Sequence, residues 1–183
     1  MSFSTDKLRS LLDAEKGLAS NNRYKVKLPS INGTPKPGGG SASYTGNTED
    51  LSNLCTSAVI PGKQILTVDR GIGIEQLKVG IGHSLPEVSL TFYLTGTYSA
   101  REYWQEWMET IVSPQPPFTA GFHEDYSKQV TIEQVDKMGA KIYGVKLTKA
   151  YPTGLSEIQL NNQAQGAALE LTVQLSYSNY EIT

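Results

Sequence analysis

The sequence predicts a mainly β protein, an antiparallel β-sandwich or open barrel with one packed α-helix and a short N-terminal helix. Two observations predict this class. Among the 183 residues, several short runs alternate apolar with polar side chains, and segments rich in Gly or Pro separate these runs. The hydrophobic fraction is only 38%, which favours antiparallel strands with one polar face over strands that are buried on both faces.

A short helix and a half-buried strand are predicted near the N-terminus. Leucines recur near helical spacing between Thr5 and Leu18, which indicates the helix. Between Arg23 and Leu28, apolar side chains alternate with basic ones until Pro29 ends the run. This strand has a basic outer face, formed by Arg23, Lys25 and Lys27.

Residues 32–47 are predicted to form a mobile loop inside the domain. The segment contains three consecutive glycines, two prolines and small polar residues, so it offers little apolar surface whose burial would offset the entropy of ordering. A linker between two domains is the alternative interpretation, but the chain before it is too short to build a core. The sequence therefore predicts a single domain over residues 1–183, long enough to form a core without disulfides.

Three further features are predicted between residues 51 and 95. Leu51 to Ile60 is predicted to be a strand that contains Cys55. Residues 63–82 interleave branched apolar side chains with glycine, which indicates a long flexible hairpin. Glu87 to Thr95 alternates most clearly, with one apolar face formed by Val88, Leu90, Phe92 and Leu94.

The main helix and the last strands follow. Ser99 and Glu102 have the spacing of a capping box, and an aromatic stripe one helical turn apart continues to Ile111, before a proline-rich segment ends the helix. The hairpin and final strand predicted after it span residues 126–136, 141–151 and 168–178.

Charge and cysteine usage restrict the function. The net charge is −2 with a pI near 5.7, and the basic residues are scattered, which disfavours a nucleic-acid binder. Cys55 is the only cysteine, so no internal disulfide forms. Neither a signal-peptide pattern nor an apolar run of membrane-spanning length is present, and we expect synthesis in a reducing cytosol.

No catalytic, cofactor-binding or metal-binding residues are predicted. His83 and His123 have no partners at metal-ligand spacing, and Cys55 lies in an alternating segment where a small buried residue is ordinary. The glycine pairs in the 63–82 segment lack the remaining residues of a phosphate-binding loop. Adjacent acidic residues such as Glu49 and Asp50 diverge rather than converge across a cleft. The helix aromatics favour core packing over a sugar-binding platform; they are Tyr103, Trp104 and Trp107.

In order and spacing, the segments resemble the tail tube proteins of contractile-tailed bacteriophages, whose β-sandwich is shared with the tubes of type VI secretion and related injection machines. The resemblance extends from about Leu8 to Tyr177, and the insertion at 32–47 is longer than the family leads us to expect. The residues that carry it are Tyr24–Leu28, Leu54–Gly62, Val88–Tyr93 with Ala100–Trp107, Ala150–Leu160 and the final alternating strand.

The resemblance implies a structural subunit, not an enzyme. Hexameric rings with a continuous inner β-barrel would stack into a hollow conduit through which the genome passes, with DNA in transient, non-specific contact. The implied partners are other copies of the chain and the tail sheath, baseplate and tape-measure proteins, with no membrane anchor and no cofactor. The implied location is the virion tail, after synthesis in the host cytoplasm.

Two surfaces are predicted for this assembly. A conduit that releases DNA needs a wall without cations, because each neutralised phosphate adds affinity. We expect the lumen to be lined by Glu87, Ser89, Thr91, Glu170, Thr172 and Gln174. The glycine-rich hairpin is the candidate for contact between rings, through Gly62, Gly71, Gly73 and Gly80.

Alternative functions remain within the same fold and outside it. The nearest are a baseplate tube initiator, a tail terminator, or the tube of a secretion or extracellular injection system. From another class, a small carbohydrate-binding or hydrolytic β-sandwich requires Trp104 and Trp107 to be exposed on a concave face.

Overall fold

The computed structural model describes residues 5, 7, 9, 10, 19–72, 75–161, 166 and 168–183. From residue 19 onward, the described residues form nine strands and three helices. In chain order they are β1 (Tyr24–Lys27), α1 (Thr48–Asn53), β2 (Cys55–Ala58), β3 (Gln64–Ile72), β4 (Glu75–Ser84), β5 (Val88–Tyr93), α2 (Ser99–Ile111), α3 (His123–Tyr126), β6 (Lys128–Val135), β7 (Lys141–Leu155), β8 (Glu170–Ser176) and β9 (Asn179–Ile182).

A seven-stranded antiparallel sheet forms the body, in the order β1-β6-β7-β8-β5-β2, with β9 also paired to β7. The 15-residue β7 joins two halves, since it pairs first with β6 and β9 and then with β8. The sheet curls until its ends approach each other, and the Tyr24 hydroxyl donates a hydrogen bond of 3.0 Å to the Cys55 carbonyl. A side chain rather than a backbone ladder spans this gap, so the barrel is open, as predicted.

The core lies inside the curled sheet and beneath α2. The apolar face of β5 is fully buried at Val88, Leu90 and Phe92, and β8 contributes Leu171, Val173 and Leu175. Burying such a side chain contributes about 1.5–3 kcal/mol. The helix α2 packs its aromatic stripe on this layer, where the rings of Trp104 and Trp107 stack 5.4 Å apart.

Two side chains of α2 make hydrogen bonds at the rim of the core that fix the helix. Trp107 donates its Nε1–H to the Tyr126 carbonyl at 2.8 Å, and Tyr103 donates its hydroxyl to the Pro29 carbonyl at 2.8 Å. These bonds tie α2 to the segments on both sides of it in the chain.

The alternation in the sequence correctly predicted most of the strands. The predicted strands at 23–28, 87–95, 126–136, 141–151 and 168–178 correspond to β1, β5, β6, β7 and β8. The predicted hairpin at 63–82 is the separate two-stranded sheet of β3 and β4. The N-terminal helix predicted over Thr5–Leu18 lies mostly outside the described residues; its four described residues are helical.

The strand predicted over Leu51–Ile60 was wrong in its first half. Residues 48–53 form α1, because the Asn47 side chain caps the helix by accepting a hydrogen bond from the Glu49 amide at 3.0 Å. Acidic residues in the first turn also favour a helix start, and Leu51 is buried. Only Cys55–Ala58 forms a strand.

The predicted capping box at the start of α2 does not form. The N-cap is Tyr98, in the left-handed region with φ 55°, and no side chain caps the helix. Ser99 is already helical, and its Oγ lies 3.4 Å from the Thr95 Oγ1 instead. The spacing of Ser99 and Glu102 is therefore coincidental.

The segment 32–47 buries more than its composition suggested. Ala42 and Tyr44 are buried, and the Tyr44 ring meets the Tyr103 ring edge-on at 5.2 Å. Backbone hydrogen bonds fold residues 33–42 on themselves, from the Gly33 amide to the Ala42 carbonyl and from the Ala42 amide to the Thr34 carbonyl. The segment therefore buries apolar side chains that its composition did not indicate, and the mobility predicted for it stays a prediction.

Candidate functional site

A polar face runs along β5 and β8, opposite the core. Strand alternation turns Ser89 and Thr91 of β5 away from the buried side chains, and the register places them opposite Gln174 and Thr172 of β8. Glu170 lies opposite Tyr93 at the end of the ladder. The structure therefore brings together five of the six residues that were predicted to line the lumen.

The sixth residue, Glu87, joins this face through β7. Thr153 of β7 donates its hydroxyl to a Glu87 carboxylate oxygen at 3.1 Å, with the Gln174 carbonyl 3.3 Å from the same hydroxyl. The hydroxyls of Thr91 and Thr172 lie 3.2 Å apart across the ladder. Cross-strand contacts of this kind hold the polar side chains in a fixed arrangement.

Sequence reasoning missed three members of the polar face. The Thr56 hydroxyl of β2 donates to the Thr91 carbonyl at 3.3 Å, and the Ser156 hydroxyl accepts from the Thr172 amide at 2.9 Å. Thr153 is the third. These residues contact the face through hydrogen bonds. Thr56 and Thr153 lie at bulges in the β2–β5 and β7–β8 ladders, so the sequence showed no clear alternation there.

The charge on the two halves of the sheet differs. The strands around the polar face contain one carboxylate, Glu170, and neither Lys nor Arg, over residues 55–58, 88–93, 151–155 and 170–176. The other half of the sheet carries six lysines, namely Lys25, Lys27, Lys128, Lys141, Lys146 and Lys149. Glu133 and Glu181 are the acidic residues of the lysine-bearing strands, and Glu133 pairs with Lys27 and Lys141. Lysines still outnumber carboxylates there, so anions are attracted to this half of the sheet and not to the polar face.

The glycines predicted for contact between rings belong to the exposed β3–β4 hairpin. Gly71 lies near its tip, opposite Gln76, and Gly80 lies opposite Thr67. Gly62 precedes β3, and Gly73 lies outside the described residues. A Cβ at Gly62 or Gly71 would meet no atom within 4 Å, so neither glycine is required by packing within one copy.

The residues considered for catalysis are placed for structure. Burial raises the pKa of the Cys55 thiol to about 11, and burial also raises the pKa of its neighbour Tyr24 to about 12, so neither is an activated nucleophile at neutral pH. Among the described residues, no group of three or more His, Cys, Asp and Glu side chains can hold a metal ion. Helices long and apolar enough to cross a membrane are absent from the same part of the chain.

The sugar-platform interpretation of the helix aromatics is excluded by their position. Tyr103, Trp104 and Trp107 lie on the buried face of α2 and are completely buried, so no ligand reaches their rings. Core packing, the interpretation favoured by their spacing, is confirmed.

The fold defines a class of open antiparallel β protein with free sheet edges and an exposed hairpin. An open antiparallel sheet leaves strand edges without backbone partners, and an exposed hairpin extends from it. The sequence model of the family described as phage tail tube protein matches residues 19–183, and the chain belongs to this family. Its function as a tail tube subunit, inferred from the resemblance, agrees with this membership. A search of curated protein sequences found no match.

Solved structures share the fold at low sequence identity. A chain in the six-fold symmetrised baseplate of the anti-feeding prophage is 11% identical, with a TM-score of 0.61 over 91% of this chain and 95% of that chain. A chain in the tube-terminating cap of the same particle is 14% identical, with a TM-score of 0.60 over 91% of each chain. A chain in the extended sheath–tube complex of the extracellular contractile injection system PVC is 14% identical, with a TM-score of 0.55 over 100% and 99%.

Proposed function

We propose that six copies of this single-domain chain close a ring with a continuous inner β-barrel, and that rings stack into the hollow tube through which a phage genome leaves the virion. The observation that carries this proposal is the polar, cation-free face of β5 and β8. Its role is mechanical, without catalysis or a cofactor. The tail sheath, baseplate and tape-measure proteins are its proposed partners in a contractile tail.

Ring closure follows from the open sheet. The half that bears the polar face ends on one side at β2 and on the other at residues 151–155 of β7. In a ring, the β2 edge of one copy would meet the β7 edge of the next, which leaves no unpaired edge in the plane of the ring. The polar faces of all copies would then form one inner surface.

The inner surface suits DNA that must move. Glu87 and Glu170 repel phosphates, and the hydroxyl and amide groups of the face are neutral. With the lysines confined to the other half of the sheet, DNA would slide without forming ion pairs with the wall.

A charge reversal on this face tests the proposal. Glu170→Lys should leave tube assembly intact and slow genome release from phage particles, measured by the kinetics of DNA ejection. Glu181→Lys is the matched control, because Glu181 is an exposed residue of β9 on the lysine-bearing half. Equal ejection rates for the two variants would refute a lumen role for the β5–β8 face.

Contact between rings is proposed for the glycine-containing hairpin. The hairpin strands of nine and ten residues span about 30 Å at about 3.3 Å per residue. The hairpin is therefore long enough for its tip to reach beyond the seven-stranded sheet. Tube formation by purified protein distinguishes the proposed tube from an initiator or terminator: a tube subunit polymerises to indefinite length, whereas an initiator or terminator stops at one ring.

A further inference from the structure

The β3–β4 hairpin has one apolar and one polar face. The pairs Val68–Val79 and Arg70–Leu77 place apolar side chains on one side, with Arg70 as the charged residue among them. The alternate pairs, Thr67–Gly80, Asp69–Lys78 and Gly71–Gln76, lie on the other face, where Ile65 beside Gly80 is the exposed apolar residue. On the apolar face Leu66, Val68 and Leu77 are all exposed, with Leu77 at 55%. A two-stranded hairpin is marginally stable alone, so this face needs a partner.

The loop after α2 carries a second exposed apolar surface, the Phe loop, defined as residues 112–122. Its backbone is fixed by a bridge between Val112 and Ala120 and by the Gly121 amide, which donates to the Ile111 carbonyl at 2.8 Å. Two phenylalanines project from this fixed loop, Phe118 at 64% and Phe122 at 81% exposure. Large aromatic side chains so exposed on an ordered loop are typical of interaction surfaces.

The two surfaces lie at the same end of the sheet. The hairpin leaves the sheet between the end of β2 and the start of β5, where Val88 pairs with Leu175, and Leu175 pairs with Pro152 of β7. Phe122 precedes α3, whose His123 ring lies 5.7 Å from the ring of Tyr151, the neighbour of Pro152. Within one copy, both surfaces nevertheless remain exposed.

We infer that the apolar face of the hairpin packs on the Phe loop of the adjacent copy in the same ring. This inference rests on the proposed ring. Rotation about a ring axis keeps the same end of every copy at the same level, so two surfaces at one end meet between ring neighbours and not between stacked rings. A closed ring then covers every hairpin and every Phe loop. The hairpin tip, beyond this contact, is left for the next ring.

Two single charges test the contact. Leu77→Glu and Phe122→Glu should each raise the protein concentration needed for ring formation more than tenfold, as measured by sedimentation. The matched control is Gln76→Glu, which adds the same side chain at the adjacent position on the polar face of the hairpin and should leave ring formation unchanged. Because all three residues are exposed, each variant should keep the wild-type unfolding midpoint, which verifies folding.

Mixing the variants separates a specific contact from general weakening. The Leu77→Glu copy retains its Phe loop and the Phe122→Glu copy retains its hairpin, so an equimolar mixture should form heterodimers at least tenfold in excess of homodimers in native mass spectrometry. Rings formed normally by Phe122→Glu, or a mixture without heterodimer enrichment, would overturn the inference and leave the proposed ring intact. Wild-type protein that forms neither rings nor tubes would instead refute the proposed function.

Discussion

Lys36 offers the sharpest test of how the 32–47 segment is held. Its Nζ lies 2.8 Å from a carboxylate oxygen of Glu106 and 2.8 Å from one of Glu109, both on α2. Burial lowers the pKa of Lys36, but the hydrogen bonds and charges of the two glutamates outweigh it and raise the pKa. The segment that sequence reasoning treated as mobile is thus tied to the main helix by a charged network.

The magnitude follows from the exposure of the three side chains. They retain only 19%, 21% and 26% of their accessible surface, for Lys36, Glu106 and Glu109 respectively. Exposed ion pairs are worth about 0.2–1 kcal/mol, and breaking a fully buried pair costs about 3–5 kcal/mol. The loss of unfolding free energy for Lys36→Met should lie between these limits, at about 2 kcal/mol. For a chain of this size, this loss lowers Tm by about 4–8 °C.

The assay is urea unfolding of the monomer followed by tryptophan fluorescence. Trp104 and Trp107 report on it because they are buried on α2, the helix that carries both glutamates. The variant Lys36→Met with Glu106→Gln and Glu109→Gln should recover most of the loss, since it removes the uncompensated carboxylates together with the lysine. A loss below about 0.5 kcal/mol for Lys36→Met would put the pairs in the class of exposed ion pairs and refute the reasoning. Failure of the triple variant to recover would show that packing of the lysine stem, not charge, stabilises the segment.

Two further predictions follow from the helix starts and from Cys55. Asn47→Ala should lower the free energy of unfolding in urea by about 1 kcal/mol, because the side chain caps α1. Ser99→Ala should lower it by less than about 0.5 kcal/mol, because Ser99 caps no helix. Equal losses for the two variants would contradict this prediction. Since burial raises the Cys55 pKa from 9.0 to about 11, its stabilising contribution is complete below pH 9.0 and declines as pH rises towards 11. The wild type should therefore lose stability relative to Cys55→Ala over this range, and parallel pH profiles would exclude the effect.

Periodicity predicted the long elements because their own side chains determine them. The alternation in Val88–Tyr93 and the aromatic stripe of α2 each assign one face to the core, and the structure buries those faces. Elements that depend on neighbours were predicted less well. The strand β9 was missed because its four residues show little alternation and its strand form depends on pairing with β7.

The candidate polar face was predictable only in part, for the same reason. Six residues were identified from two alternating strands, and the structure brings all six onto one face. Thr56, Thr153 and Ser156 contact this face through hydrogen bonds across the sheet, which no local pattern encodes. The burial of Ala42 and Tyr44 in the segment 32–47 was missed for another reason, because composition averages over residues and does not show which side chains reach the core.

The bend in β7 explains how one sheet carries two different surfaces. Lys149 adopts φ 52°, a conformation that costs a non-glycine residue about 1–3 kcal/mol unless its surroundings impose it. At this point β7 leaves β6 and β9 and joins β8. The lysines of β7 lie before or at the bend, and residues 151–155 after it contain none. A one-residue shift in the pairing of β7 with β8 would turn the polar face of β8 towards the core. The position of the bend must therefore match the alternation of β8. Together they keep the cation-free face separate from the lysines.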